Sequence, residues 1–257
     1  MRRSRRGVAL ILVLWLVVVL TTISAGVVRA ARTSSAIAAN ARAGVIARAA
    51  AESGIEALVA AIEDSLASLA DAGDRQEWLN ALAAGSGRDS VTLGDGRFAV
   101  TVVDVSARLD VNAASESALR TFFAQFTDPA KAAAIARAIR ARIDSGTSLR
   151  DGAAFRPLTV TPIRSLDELH VARLVPDRIL ERAAPYLTVD GDGVINQRTA
   201  SDTVLVAATG ELRDEPSRLL LISRGWVWGH PLTCEIQAVY AISGNRLVFS
   251  HWRERSL

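Results

Sequence analysis

From Val8 to Val28 the sequence carries no charged side chain, and leucine, valine and isoleucine make up most of the run, with Trp15 inside it. At about 1.5 Å per residue, a helix over this stretch is roughly 31 Å long, the thickness of a bilayer's hydrocarbon core. Arg2, Arg3, Arg5 and Arg6 precede it. The positive-inside rule keeps such a cluster on the cytoplasmic side of an inner membrane and sends the rest of the chain across. The same four arginines account for the basic balance. Without them 26 basic residues face 27 acidic ones, and the formal net charge falls from +3 to −1. The pI near 9.7 therefore describes the N-terminal tip and is no argument for a nucleic-acid surface on the folded body.

An ordinary cleaved signal peptide is the competing reading, and Ser24, Ala25 and Gly26 offer small residues for cleavage. Two features oppose it. The apolar run is longer than the roughly 7–15 residues of a signal-peptide core. Helical character also continues past its end: no proline occurs between Arg29 and Ala70, and alanine, the best helix former, is abundant there. Ile55, Leu58, Val59, Ile62, Leu66 and Leu69 fall on one face, with Glu52, Glu56, Glu63 and Asp64 mostly off it. A membrane helix running directly into an amphipathic one is expected, ending at Gly73 with Gly85 and Gly87 close behind.

Further along, Phe98–Val105 reads as a β-branched strand after a Gly94-Asp95-Gly96 turn. Ser115 is placed to cap a helix carrying Leu119, Phe122, Phe123 and Phe126, with Glu116 in its first turn. Pro129 opens a second helix, through Ile135, Ile139 and Ile143 to Gly146. Ser165-Leu166-Asp167-Glu168 is a capping box for a third, around Leu169 and ending near Pro176, and Pro176-Asp177 starts a fourth with Ile179 and Leu180. Val194–Asp202 echoes Arg108–Glu116, aligning Ala200 with Ala114, Ser201 with Ser115 and Leu205 with Leu119. At the C-terminus the period shifts to two. Leu219–Trp228, Cys234–Ile242 and Leu247–Phe249 form three strands, with Glu235 and Gln237 on the polar side of the second and Ser243-Gly244-Asn245 as a hairpin turn.

Arg6-Gly7-Val8-Ala9-Leu10-Ile11-Leu12-Val13-Leu14-Trp15 resembles the class III leader of type IV pilins and type II secretion pseudopilins. The resemblance implies a prepilin peptidase cut after Gly7 and N-methylation of Val8. Most members carry glutamate at the fifth mature position, and here that position is Leu12, which resembles the K-type minor pseudopilin (general secretion pathway protein K) that caps a filament tip. Three further stretches carry the same likeness: Ser165-Leu166-Asp167-Glu168-Leu169, Pro185-Tyr186-Leu187-Thr188-Val189 and Ile195-Asn196…Thr199-Ala200-Ser201. The implied fold is α+β: a long N-terminal helix packed on an antiparallel pilin-like sheet, with an inserted all-α domain of two helix-hairpin-helix or SAM-like units. The expected division is leader 1–7, membrane helix 8–28, amphipathic continuation 29–73, first part of the pilin-like domain 74–106, inserted helical domain 107–212, and C-terminal sheet 213–257. Implied partners are minor pseudopilins of the I and J types, the prepilin peptidase and inner-membrane lipid, with the body in the periplasm. The implied task is to nucleate the filament that exports folded proteins.

The other functional classes find less support. A DNA-binding helix-hairpin-helix needs a glycine turn whose N–H groups meet a phosphate. Gln125–Pro129 and Leu174–Asp177 lack that glycine and each contains an aspartate, so no nucleic-acid partner is expected. A periplasmic binding module released by a signal peptide is the alternative. His170, His230 and His251 share no ligand spacing, and no nucleophile elbow, phosphate loop or zinc motif appears, so an enzyme is not expected. Cys234 alone excludes an intramolecular disulfide. Pseudopilins of this family can bind calcium, and Asp190, Asp192 and Asn196 are the oxygen-rich candidates here. Val194 and Ile195 nevertheless break the EF-hand pattern at its fifth and sixth positions, and Ile143–Thr147 is thin in acids. Trp226, Trp228 and Trp252 serve either a sheet core or a partner surface.

Substituting Gly7→Leu should block peptidase processing and leave an inserted, uncut precursor, visible as slower migration on a gel. Normal processing of that variant would remove the leader assignment.

Overall fold

A computed structural model describes residues 5–84, 90–144 and 162–256, with side chains from Ile11 to Arg255. Arg2 and Arg3, the Gly85–Gly87 turn and the Gly146 helix end lie outside that set. The dominant element is α1, Arg5–Ser68, one helix of 64 residues. Its C-terminal third lies on a five-stranded sheet of order β1-β2-β7-β8-β9, every neighbouring pair antiparallel. The strands are β1 (Val91–Leu93), β2 (Gly96–Asp104), β7 (Arg218–Val227), β8 (Thr233–Ser243) and β9 (Arg246–Ser256). The C-terminal meander is as the period-two pattern predicts, and β2 joins it beside β7.

The stripe read from sequence is the stripe that packs. Ile55, Leu58, Ile62 and Leu66 are buried against Phe98, Val100, Val102, Leu219, Leu221, Ile236 and Ala238, each worth about 1.5–3 kcal/mol of apolar transfer. Toward the N-terminal end of this contact the side chains shrink to Ala43, Ala47, Ala50 and Ala51, all buried. There the helix closes on β7 until backbone meets backbone. A β-carbon on Gly225 would fall 2.1 Å from the Ala47 carbonyl oxygen and 2.5 Å from the Ala51 nitrogen, and one on Gly54 would fall 2.3 Å from Ser223 Oγ.

α1 stops at Ser68, short of Gly73, and Gly73 lies inside a second helix, α2 (Ala72–Ala84). The cause is a cap: the Asp71 carboxylate accepts from the backbone N–H groups of Gly73 and Asp74, at 2.7 and 3.1 Å. α2 is fixed by the buried Leu79 and by Arg75, which donates to Gly244 O and Asn245 Oδ1 in the β8–β9 turn.

Between β2 and β7 the chain leaves for residues 105–217 and builds a second, separate core. Its helices are α3 (Glu116–Phe123), α4 (Pro129–Asp144), α5 (Asp167–Val171), α6 (Asp177–Ala183) and α7 (Asp202–Leu205). Phe122, Phe123, Ile139, Ile143, Ile163, Leu169 and Leu187 are fully buried in it, and Phe122 meets Phe123 edge-on at 5.2 Å. Ser115 caps α3, accepting from the Ala118 N–H at 3.1 Å. The capping box at α5 is offset by one residue: Ser165 Oγ accepts from the Asp167 N–H, and Glu168 Oε1 accepts from the Arg164 N–H.

The internal echo has a structural counterpart. Leu109–Asp110 (β3) pairs in parallel with Leu187–Thr188 (β4), and Ile195–Asn196 (β5) with Leu212–Arg213 (β6). Each of β3 and β5 leads through a turn to an extended serine, Ser115 or Ser201, at a helix start. These two-residue ladders add short strands to a segment read as all-helical. In β8 the alternation holds on the helix side, but Glu235 is buried, 4 % exposed, because Arg224 of β7 pairs with it at 2.6 Å.

Gly225→Ala should lower the melting temperature by the equivalent of about 1–3 kcal/mol, since the only atoms that could yield are α1 backbone. Gly44→Ala, in the same helix with open space at its β-carbon, should be neutral or stabilising by up to about 1 kcal/mol. Thermal denaturation followed by circular dichroism compares the two.

Candidate functional site

Every residue from Ile11 to Arg42 is exposed; burial by the rest of the chain begins only at Ala43. Over Ile11–Val28 this leaves a bare apolar rod, with Ile11, Leu12, Leu14, Trp15, Ile23 and Val27 each more than half exposed. It is long and apolar enough to cross a membrane. Two of its hydroxyls bond within the helix, Thr21 and Thr22 donating to the Val17 and Val18 carbonyls at 2.7 Å, an arrangement suited to a low-dielectric surrounding. Gly7 and Val8 lie in α1 by their backbone, beyond the described side chains. Leu12 is 66 % exposed. Beyond the apolar rod, charge on α1 is segregated: Arg29, Arg32, Arg42 and Arg48 come first, then Glu52, Glu56, Glu63 and Asp64.

The second arrangement is the seam where the inserted segment meets the sheet. The Val105 N–H donates to Arg218 O at 3.1 Å, and Ser106 Oγ lies 2.8 Å from Ser217 Oγ, so the chain departs and returns at adjoining points. Buried Asp104 accepts from the Ser106 N–H through Oδ1, and through Oδ2 from Asn196 Nδ2 (2.8 Å) and Thr199 Oγ1 (2.6 Å). Asn196 also donates to Asn80 Oδ1 of α2. On the other side of the seam Asp190, 7 % exposed, is held by Arg253 and by His251 Nε2 (3.0 Å), both on β9. Nearby, burial raises the Asp110 carboxyl above its ordinary range against the pull of the Asn112 and Ala113 N–H groups.

These contacts decide the calcium candidates. Asp190 is neutralised by Arg253; Asp192 accepts from the Val194 N–H and Ser217 Oγ and faces Arg218 Nε at 3.4 Å; Asn196 turns its amide nitrogen toward Asp104. A calcium site needs six to eight converging oxygens, and the donor set here does not fit one. Among the described residues no three His, Cys, Asp or Glu side chains are disposed to hold a metal ion. The histidines stay apart: His170 Nδ1 pairs with Asp177 at 2.6 Å on the surface, while His251 belongs to the seam. Cys234 is buried, and burial pushes its thiol up to about 11, far from a reactive thiolate.

Of the three tryptophans near the C-terminal sheet, Trp228 and Trp252 settle at the surface. Trp228 is 76 % exposed with the Arg97 guanidinium 4.6 Å over its ring, Trp252 is 45 % exposed, and Trp226 is half-buried. Sequence reasoning did not find the Asp104–Asn196–Asn80 cluster. Its one sequence signal is the Ile-Asn pair opening the internal echo.

No protein-family model matches the sequence, and no curated protein matches it. Among solved structures the chain is similar to one in the GspK–GspI–GspJ complex of the type 2 secretion system from enterotoxigenic Escherichia coli. The TM-score is 0.51 at 14 % identity, covering 67 % of this chain and 84 % of that one. At this identity the likeness concerns the fold, and the fold is pilin-like: a long N-terminal apolar helix packed on an antiparallel sheet.

Asp190→Asn should cost about 1–3 kcal/mol, the penalty of leaving the half-buried Arg253 guanidinium without its carboxylate. Hydrogen exchange should show residues 187–196 and 246–256 losing protection first, while Ile55–Leu66 keeps its own.

Proposed function

We propose that this chain is a minor pseudopilin of a type II secretion system, anchored in the inner membrane by α1 and carrying its folded body in the periplasm. Its work is assembly rather than catalysis. The observation that carries the reading is the division of α1 into a part buried on its own sheet and a part, Ile11–Arg42, that nothing in the chain covers. The bare apolar rod within it, Ile11–Val28, costs far too much in water, since each exposed CH₂ forgoes about 0.8 kcal/mol. Lipid and the helices of neighbouring subunits are the two surroundings that satisfy it. The pilin-like fold supports the same conclusion.

The finer reading places the protein at the filament tip as a K-type subunit, with partners of the I and J types. What supports it is Leu12. A carboxylate at that depth is costly unless it is paired with the N-terminal ammonium of a neighbour, and the top subunit has no such neighbour to neutralise. The structure to which the chain is similar is of a complex of GspK with GspI and GspJ, which supplies the model for the companions. In this reading prepilin peptidase removes residues 1–7 and Val8 becomes the methylated N-terminus. The subunit then nucleates the filament that supports export of folded proteins. The unbroken helix through Ser24–Gly26 supports an anchor over a cleaved signal peptide.

Mass spectrometry of the mature protein should find Val8, methylated, as its first residue; a terminus near Ala25 or Ala30 would overturn the anchor and the filament role together. Leu12→Ala should leave secretion of a native substrate unchanged, and Leu12→Glu should reduce it or leave it unchanged. Improved assembly with Leu12→Glu would mark a body subunit and end the tip assignment.

A further inference from the structure

The face of the sheet turned away from α1 is strongly basic. Alternation along β2, β7, β8 and β9 turns Arg97, Arg218, Arg224, Arg253 and Arg255 outward, against a single outward carboxylate, Glu235. Most of these have work to do in the fold: Arg224 pairs with Glu235, Arg218 with Asp192, Arg253 with Asp190, and Arg97 covers Trp228. Arg255 makes no ion pair or hydrogen bond among the described residues, although its charge is felt at Glu235.

Where this face runs under the inserted segment it becomes a cleft of about 400 Å³. The floor is apolar and half-exposed: Val103 of β2 and Leu220 and Ile222 of β7. Arg108 enters from the insertion side and Arg255 from the sheet side. Arg108 is half-buried, which disfavours its charge against the pull of Asp104 and Asp190, and its guanidinium has no hydrogen-bond or ion-pair partner among the described residues. A partly desolvated guanidinium over an apolar floor, with no such partner among the described residues, is an incomplete half of a charge-assisted pair.

We infer that this cleft binds an extended peptide segment of another polypeptide, one that alternates carboxylate and apolar side chains. A carboxylate engages Arg108, a second lies toward Arg255 at the mouth, and the intervening apolar side chain rests on Val103, Leu220 and Ile222. The floor is what favours a peptide. A nucleic acid backbone or a flat array of lipid headgroups matches the arginines but gains nothing from a concave apolar surface, whereas alternating side chains of a peptide use both.

The test uses the full chain in detergent micelles and fluorescence anisotropy with a labelled Val-Glu-Val-Glu-Leu peptide, its Val-Gln-Val-Gln-Leu counterpart, and an oligothymidylate. The glutamate peptide should bind about tenfold more tightly than the glutamine one, the scale of one charge-assisted pair. Arg108→Gln should abolish that preference, and Arg120→Gln, an exposed position on α3, should not. Equal binding of the two peptides, or a preference that survives Arg108→Gln, would overturn the inference. So would oligothymidylate, or phosphatidylglycerol vesicles added as competitor, binding more tightly than the peptide and losing that advantage in Arg108→Gln. Should Arg108→Gln fail to fold by circular dichroism, Arg255→Gln is read by the same criteria. Because the measurement involves neither processing nor secretion, its failure leaves the assembly reading untouched.

Discussion

One helix in this protein has to live in two surroundings, and the close docking of α1 on β7 makes that possible. Large side chains would hold helix and strand apart. Gly54 and Gly225, with the alanines at 43, 47, 50 and 51, bring the two backbones into contact. The grip is strongest from Ala47 to Leu66, where α1 covers β2, β7 and β8. With that segment immobilised, the rest of α1 leaves the body in a fixed direction as a continuation of the same helix. Geometry at the sheet thus sets the attitude of the apolar rod, since the helix is continuous between them.

The inserted segment is built on a different principle. Its core is its own, rich in phenylalanine and isoleucine, and among the described residues it shares no buried side chain with the α1–sheet core. What joins the two is polar: Asp104 to Asn196 and Thr199, Asn196 to Asn80, Asp190 to Arg253 and His251. Buried polar groups of this kind contribute little net stability when satisfied and cost much when not. They therefore specify an orientation, where a merely greasy contact would tolerate several.

The sequence made some of this legible because some of the signals are local. The helical stripe from Ile55 to Leu66, the alternation in β8, the serine cap at Ser115 and the proline at the start of α4 each depend on residues within a few positions. Failures came where the deciding partner is remote. Asn196 reads as a potential calcium oxygen until Asn80 and Asp104, 116 and 92 residues away, are seen to take its amide. Glu235 reads as a solvent-facing strand residue until Arg224 is set opposite it. α2 carries only a short apolar stripe, Trp78, Leu79, Leu82 and Ala83, of which Leu79 alone is fully buried, and Gly73, which reads as a stop, follows the Asp71 cap of a new start.

The point at which the insertion leaves the sheet has a consequence for how such a chain can change. Asp104 and Leu219 face each other across adjacent strands, about one strand spacing apart. Two chain ends that close together can be joined by a tight turn, so the five-stranded sheet does not need the intervening hundred-odd residues to keep its connectivity. Equally, lengthening or shortening that excursion changes the closure entropy only logarithmically. A scaffold of this kind can accept, enlarge or lose a whole module at that one junction while its strand order, and the helix it holds, stay as they are.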